Sequence, residues 1–190
     1  MDKIRAGFAL CGSFCTFTKA ISQIEELINN GVEVTPIMST VAYSTDTRFG
    51  EADEFIDKVE KITSKKIIHT LVDAEPIGPK KMFDILIVEP CTGNTLAKLA
   101  GGIADSPVTL SVKAHLRNDR PVLIGVSTND ALGTAAKNIG LLLNNKNLYF
   151  IPMKQDDCVN KPNSVIADFE KTYEAMLQAL NKKQLQPILS

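Results

Sequence analysis

The strongest constraint on the fold of this chain is the alternation between short apolar segments and longer segments with helical spacing. The apolar segments have the length of buried strands at residues 4–10, 32–38, 84–89, 121–126 and 148–151, and a further short strand is expected around residues 67–68. The helical patterns lie at residues 20–28, 52–62, 95–104, 131–143 and 166–180. Apolar residues that recur every three to four positions indicate helices with one buried face.

Short apolar strands that alternate with helices predict a parallel sheet covered on both faces. The expected fold is therefore α/β, with a Rossmann-like, doubly wound parallel sheet in three α/β/α layers. No internal repeat or linker divides the sequence, so we predict a single domain over residues 1–190, with a C-terminal helix and tail at about 164–190.

Three segments are harder to assign. Residues 39–50 and 73–81 are predicted to be loops, the second because it is rich in proline and lysine. Residues 106–117 stay ambiguous, because the β-branched Val108, Thr109 and Val112 lie in a pattern that otherwise indicates a helix.

The charge balance argues against nucleic-acid binding, since 21 Lys and Arg residues face 22 Asp and Glu residues without a basic cluster. No segment has 18 uninterrupted apolar residues, and the N-terminus lacks a signal-peptide cleavage pattern. The four cysteines have neither zinc-site nor disulfide-scaffold spacing, and there are only two histidines. We therefore expect a cytoplasmic protein with reduced thiols and no metal site.

In a doubly wound sheet, ligands bind beyond the carboxyl ends of the strands. Four segments rich in Ser, Thr, Asn or Gly lie at such ends, at residues 11–14, 39–49, 90–95 and 125–130. In the first, Gly12 allows close approach of a ligand and Ser13 offers a hydroxyl at a helix N-terminus. The alternative is a tight turn with a serine cap, because neither the Walker lysine nor a G-x-G-x-x-G pattern is present.

Individual side chains suggest chemistry but leave alternatives open. Arg48 suits a carboxylate or phosphate, although it can equally pair with Asp46 or Glu51 on the surface. His69 is a candidate acid or base, or a packed side chain beside an apolar pair. Cys91 is either a reactive thiol at a helix N-terminus or, as we favour, a small buried residue.

The segment PCTGNTLAKLAGGIAD resembles the Pro-x-Ser/Thr-x-Asn-Thr-x-x-Lys-x-Ala-x-Gly-x-x-Asp motif of the flavin-binding cysteine decarboxylase-like flavoproteins. The matching positions are Pro90, Thr92, Asn94, Thr95, Lys98, Ala100, Gly102 and Asp105. The resemblance extends over about residues 4–150. It implies FMN as cofactor, with the phosphate near Gly12, Ser13, Ser39 and Thr40 and the flavin ring near Thr92, Gly93, Asn94 and Thr95.

The same resemblance implies that His69 and Asn129 are catalytic. The family's Pro-x-Met-Asn pattern is replaced here by GVSTND, which keeps Asn129 but loses the proline and methionine. This difference weakens the expectation of cysteine decarboxylation.

Within the family, residues 150–169 and 177–189 resemble the B subunits of dipicolinate synthase from endospore-forming bacteria. This likeness implies that the chain forms pyridine-2,6-dicarboxylate from dihydrodipicolinate together with a dipicolinate synthase A subunit, which carries NADP or NAD. It also implies that the protein acts in the cytoplasm of the mother cell of a sporulating bacterium. Arg48 is the first candidate for the substrate carboxylates, ahead of Arg117 and Lys80. The family also implies a homo-oligomer, either a trimer or a dodecamer.

Two alternatives remain at this stage. The first alternative to a dipicolinate-forming subunit is a non-catalytic partner that stabilises or activates the A subunit and retains a vestigial flavin site. The second is another flavin-dependent decarboxylase.

Overall fold

Strand β1 (Arg5–Leu10) shows how the sheet organises the core in a computed structural model that describes residues 3–190. Phe8 and Leu10 belong to the hydrophobic cluster on one face of the sheet, and Ala9 belongs to the cluster on the other face. Successive side chains of a strand point to opposite faces, so a strand with both faces covered needs an unbroken apolar run. The apolar segment seen in the sequence is explained by this burial.

Four further parallel strands complete the main part of the sheet: β2 (Glu33–Met38), β3 (Ile85–Cys91), β4 (Val122–Thr128) and β5 (Leu148–Phe150). Their spatial order is β2-β1-β3-β4-β5. The chain moves outward from β1 to β2 and then returns to the other side of β1 with β3. The order of the strands therefore reverses between β1 and β3, and the predicted doubly wound α/β fold is confirmed.

The helices form a layer on each face of the sheet. Helices α1 (Phe17–Asn29), α3 (Ala52–Thr63) and α8 (Thr172–Leu180) pack on the face that contains Phe8. Helices α5 (Gly93–Ala100), α6 (Pro107–Leu116) and α7 (Ala136–Leu143) pack on the face that contains Ala9. Short α-helices α2 (Thr40–Ser44) and α4 (Leu71–Ala74) and three 3-10 helices lie in the connections; the 3-10 helices are Phe14–Thr16, Glu75–Ile77 and Phe169–Lys171.

The ambiguous segment 106–117 is a helix because two reciprocal hydrogen bonds cap its N-terminus. Ser106 Oγ accepts a hydrogen bond from the Thr109 backbone N–H at 3.2 Å, and Thr109 Oγ1 accepts one from the Ser106 N–H at 3.1 Å. Pro107 occupies the first turn, where its missing N–H costs nothing. The buried Val108 and Val112 are tolerated because they pack into the core.

Several predicted boundaries were wrong. The expected strand at 67–68 is only an isolated bridge between Ile68 and Ile37. The predicted loops at 39–50 and 73–81 contain short helical turns, α5 begins and ends earlier than 95–104, and α7 begins at residue 136 instead of 131.

The largest correction concerns residues 166–180, which we predicted as one helix. They begin within a strand, β7 (Val165–Ala167), which pairs antiparallel with β4 and with β6 (Met153–Lys154). Pairing to the second half of β4 outweighs the local helical pattern there, and the helix starts only at Thr172. The sheet is therefore mostly parallel, with an antiparallel hairpin where a wholly parallel sheet was expected.

One carboxyl group lies inside the sheet at the point where the register of β3 against β4 shifts, between Val88 and Cys91. The Glu89 side chain is fully buried, and its Oε2 accepts a hydrogen bond from Thr172 Oγ1 of α8 at 2.9 Å. Its Oε1 has no hydrogen-bond partner among residues 3–190. Burial raises the pKa of Glu89 well above its ordinary value.

The tail after α8 returns to the hairpin. The Met153 N–H donates to Ile188 O at 2.9 Å, and the Gln184 amide hydrogen-bonds both the N–H and the carbonyl oxygen of Phe150. No helix within residues 3–190 has the length and apolar character needed to cross a membrane.

Candidate functional site

Two cavities open at the carboxyl ends of the parallel strands, next to the reversal of strand order between β1 and β3. Open α/β sheets bind their ligands at this position. We name them the α5 cavity, of about 380 Å³, and the hairpin cavity, of about 310 Å³. Gly12 and Thr92 line both cavities, so the two are adjacent.

The α5 cavity is lined mostly by uncharged polar groups. Its lining comprises Gly12, Ser39, Thr40, Val41, Thr92, Asn94, Thr95, Lys98, Asp105 and Ser106. The only charged residues in this lining neutralise each other, because Lys98 Nζ lies 2.8 and 2.9 Å from the two carboxylate oxygens of Asp105. The hydrogen bond from Lys98 lowers the pKa of Asp105. The wall therefore offers hydroxyl, amide and backbone groups with no net charge.

Two of these hydroxyls also hold the local backbone. Ser39 Oγ accepts a hydrogen bond from the Ala42 N–H at 3.2 Å, at the start of α2. Thr92 Oγ1 accepts one from the Thr95 N–H at 3.2 Å and lies 3.0 Å from Thr95 Oγ1, at the start of α5. The first N–H groups of α5, at Gly93 and Asn94, have no helical acceptor and suit a polar ligand.

The hairpin cavity lies between the end of β4 and the β6–β7 hairpin. Its lining comprises Gly12, Ser13, Cys15, Thr16, Thr92, Ser127, Thr128, Asn129, Asp130, Asp156, Lys161, Ser164, Val165 and Ile166. Ser13 Oγ lies 2.8 Å from Ser127 Oγ, which ties the loop after β1 to the end of β4. Ser164 Oγ donates to Asn129 Oδ1 at 3.3 Å, which ties β4 to the hairpin.

Gly93 lies where the loop after β4 meets α5. A Cβ atom at this position would lie 2.7 Å from Asp130 Oδ1 and 2.8 Å from Thr128 Oγ1, closer than van der Waals contact allows. Thr128 Oγ1 also donates a hydrogen bond to Asp130 Oδ1 at 2.6 Å. A glycine is required here so that the Asp130 carboxylate can lie against the first turn of α5.

The structure brings most of the predicted site residues together. Gly12, Ser39, Thr40, Thr92, Asn94 and Thr95 line the α5 cavity, and Ser13 and Asn129 line the hairpin cavity. Ser13 and Ser39, which we expected around one phosphate, therefore lie in different but adjoining cavities.

His69 and Arg48 line neither cavity. The His69 ring stacks on Tyr43 of α2, with ring centroids 3.8 Å apart and planes inclined by 6°, and its Nδ1 lies 3.2 Å from Ile67 O. The exposed Arg48 guanidinium lies over the Phe49 ring, 4.9 Å from its centroid. Catalysis by His69 and substrate binding by Arg48 stay predictions.

Residues 1–175 match the family model described as Flavoprotein. The chain belongs to the flavoprotein family. It is also 47% identical over 185 residues to the dipicolinate synthase B subunit of Bacillus subtilis (strain 168), a match that covers 97% of this chain and 92% of that protein.

Solved structures of similar proteins agree with this assignment to the flavoprotein family. The crystal structure of the dipicolinate synthase B subunit from Bacillus halodurans C has a TM-score of 0.91 and 44% identity, and the match covers 100% of this chain and 98% of that one. The FMN-dependent cysteine decarboxylase SpaF has a TM-score of 0.68 at 23% identity, covering 93% and 97% of the two chains, and this likeness shows the shared fold.

Sequence reasoning missed several residues that line the two cavities. Lys98 and Asp105 were noticed only as motif positions, and Ser106 only as part of an ambiguous segment. Ser127 was noticed only as part of the segment 125–130, and Ser164 gave no signal. Lys161 lies in residues 150–169, which were noticed only for their resemblance to the B subunits of dipicolinate synthase.

The buried cysteines are packing residues. Burial raises the pKa of Cys11 to about 11 and that of Cys91 well above its ordinary value, so both thiols stay protonated near neutral pH. All four cysteines are free. Among the described residues, no group of three His, Cys, Asp or Glu side chains is arranged to hold a metal ion.

Proposed function

We propose that this chain is the flavoprotein B subunit of a dipicolinate synthase. In this proposal it forms pyridine-2,6-dicarboxylate from dihydrodipicolinate, together with an A subunit that binds NADP or NAD. The observation that carries the proposal is the 47% identity to the Bacillus subtilis B subunit over nearly the full length of both chains.

The α5 cavity supports FMN as the cofactor, because the donors along its wall match the parts of that molecule. The oxidised flavin ring is neutral, and the ring would lie against Thr92, Asn94 and the first N–H groups of α5. The phosphate would be held by the Ser39 and Thr40 hydroxyls and by the backbone at Gly12, with Ser13 at the boundary of the neighbouring cavity. When bound, FMN supplies redox chemistry, and the neutral wall leaves its electronics little perturbed.

The chain's own residues then bind and orient the substrate in the hairpin cavity. Asn129 has its side-chain oxygen engaged by Ser164, which fixes the amide so that its Nδ2 group can donate to a substrate oxygen. The ring nitrogens of His69 are candidates to hold or move a proton, and Arg48 is a candidate for a substrate carboxylate.

The cofactor is tested by the visible absorption spectrum of the purified chain, recorded with and without added FMN. We expect a flavin band with one FMN for each chain. Replacing Asn94 by Ala removes an amide donor from the α5 cavity, and we expect it to weaken FMN binding. A wild-type protein that takes up no FMN under several buffer conditions would contradict the proposal.

The catalytic role is tested by combining this chain with the A subunit and following pyridine-2,6-dicarboxylate at its ultraviolet absorption. We expect product only when both chains are present, and loss of product with Asn94→Ala or His69→Ala. If both variants stimulate the A subunit fully, the result would instead support a non-catalytic partner.

We also propose a single-domain protein that assembles as a homo-oligomer in the mother-cell cytoplasm, and light scattering measures its mass.

A further inference from the structure

We infer that the hairpin cavity is a subsite for one carboxylate of a small planar diacid, and that Lys161 binds this carboxylate in exchange for Asp156. This inference rests on the proposed function, because it takes the substrate to be a dicarboxylate. It assigns a specificity-determining role to the β6–β7 hairpin, which lies outside the motif that carries the family resemblance.

Lys161 is the cation in this cavity that is free to exchange partners. Its Nζ lies 3.7 Å from Asp156 Oδ2, which is too far for a good hydrogen bond, and the two side chains are 51% and 30% exposed. Lys98 in the α5 cavity differs, because it lies within 2.9 Å of both oxygens of Asp105. A loose, half-exposed ion pair contributes little stability, so a ligand carboxylate can replace Asp156 at low cost.

The backbone around Lys161 is well held although its side chain is loosely paired. The Lys161 N–H donates to Asp157 O, and the Ser164 N–H donates to Lys161 O, both at 2.9 Å. Asp157 also accepts hydrogen bonds from the backbone N–H and the amide of Asn160. The ammonium group is therefore presented from a tight loop, which reduces the entropy that a ligand must remove on binding.

The opposite wall supplies neutral groups suited to the rest of such a ligand. Asn129 accepts from Ser164 and keeps its Nδ2 group without an acceptor among residues 3–190. The other carboxylate in this cavity, Asp130, already accepts a hydrogen bond from Thr128 at 2.6 Å and lies against Gly93. Asp130 is therefore engaged in the wall, and the Lys161–Asp156 pair is the charged group that a diacid can rearrange.

The test measures the affinity of the FMN-loaded protein for two probes by isothermal titration calorimetry. The probes are pyridine-2,6-dicarboxylate and pyridine-2-carboxylate, which differ by one carboxylate. We expect the wild-type protein to prefer the diacid, and Lys161→Met to weaken diacid binding by about five- to tenfold, the size expected for one partly exposed charge-assisted contact.

Asp156→Asn provides a test of opposite sign. It removes the carboxylate that competes for Lys161, so we expect tighter binding of the diacid. Lys154→Met is the matched control, since it removes a cation that lies outside the cavity lining, and it should not change the affinity. Arg48→Met is measured beside it because Arg48 is the other candidate for a substrate carboxylate. Circular dichroism and thermal unfolding verify that each variant is folded.

Three results would overturn the inference: equal binding of the two probes by wild type, unchanged diacid binding by Lys161→Met, or weaker diacid binding by Asp156→Asn. Loss of diacid affinity in Arg48→Met, with Lys161→Met unaffected, would assign the contact to Arg48 instead. A protein that binds no FMN would contradict the proposed function itself. A protein that binds FMN but does not discriminate the probes would contradict only the carboxylate subsite.

Discussion

Glu89→Gln is the substitution whose effect depends most clearly on pH. The Glu89 carboxyl is fully buried, it receives one hydrogen bond from Thr172, and its second oxygen has no partner among residues 3–190. An unpaired buried charge is costly, so the folded protein holds this group protonated and its pKa lies well above the ordinary value of 4.5. Glutamine has nearly the same shape and cannot ionise.

The sign follows from proton linkage. In the unfolded chain Glu89 loses its proton near pH 4.5, whereas in the folded protein it keeps the proton to a higher pH. The wild-type protein therefore loses about 1.4 kcal/mol of unfolding free energy for each pH unit between these two pKa values. The glutamine variant avoids this loss, but its extra unpaired N–H costs about 1 to 3 kcal/mol at all pH values.

The assay is urea unfolding of both proteins, followed by circular dichroism at intervals between pH 4.5 and pH 8. We expect Glu89→Gln to have the lower unfolding free energy near pH 4.5, and we expect its deficit relative to wild type to shrink steadily as the pH rises. Taking the difference at each pH removes the contributions of all other titrating groups. Glu25→Gln is the control, because Glu25 is an exposed carboxylate of α1 that is not among the causes of the raised pKa of Glu89. A stability difference that does not change with pH would refute the reasoning.

Three further predictions concern the site and its supports. Gly93→Ala should lower the unfolding free energy by about 1 kcal/mol or more, because the new methyl group crowds Asp130, and a double-mutant cycle with Asp130→Ala should show a smaller loss. His69→Ala should lower the thermal midpoint by removing the stack on Tyr43, which is worth about 0.5 to 1.5 kcal/mol, whereas His69→Phe keeps a ring in the stack. If His69→Phe is stable but forms no product, the loss reports catalysis and not packing. Ser106→Ala should cost about 1 kcal/mol in urea unfolding, because it removes the cap of α6.

The fold was predictable because burial on both faces of a sheet leaves a direct record in the sequence. The parallel strands appear as unbroken apolar runs, and residues 85–91 were found within two positions at either end. The hairpin was not predictable in the same way. Residues 165–167 form a strand only because the second half of β4 offers free backbone groups to pair with, and this condition depends on residues about 40 positions earlier in the chain.

The lining residues that lie at strand ends could be predicted from the sequence. Residues whose place in the cavities depends on the direction of the side chain could not. Gly12, Thr92 and Asn94 were expected at one edge of the sheet because the carboxyl ends of adjacent parallel strands must meet, and all three line the α5 cavity. His69 follows a segment that resembles a strand in the sequence, but that segment forms only a single bridge. The His69 ring stacks on Tyr43 instead of facing a cavity. Lys161 lies in a segment that was noticed only for its resemblance to the B subunits of dipicolinate synthase, and only the folding of the hairpin places it in the cavity lining.

The wall that the two cavities share consists largely of Gly12 and Thr92, a glycine with no side chain and a short threonine fixed as a helix cap. Neither residue has a long side chain that could absorb a change on one side without transmitting it to the other. In the proposed function, cofactor and substrate occupy adjoining cavities, and their coupling is reciprocal by linkage: whatever factor the cofactor adds to the affinity for substrate, the substrate adds to the affinity for cofactor. The proposal therefore predicts that apoprotein and holoprotein bind the same small molecule with different affinities.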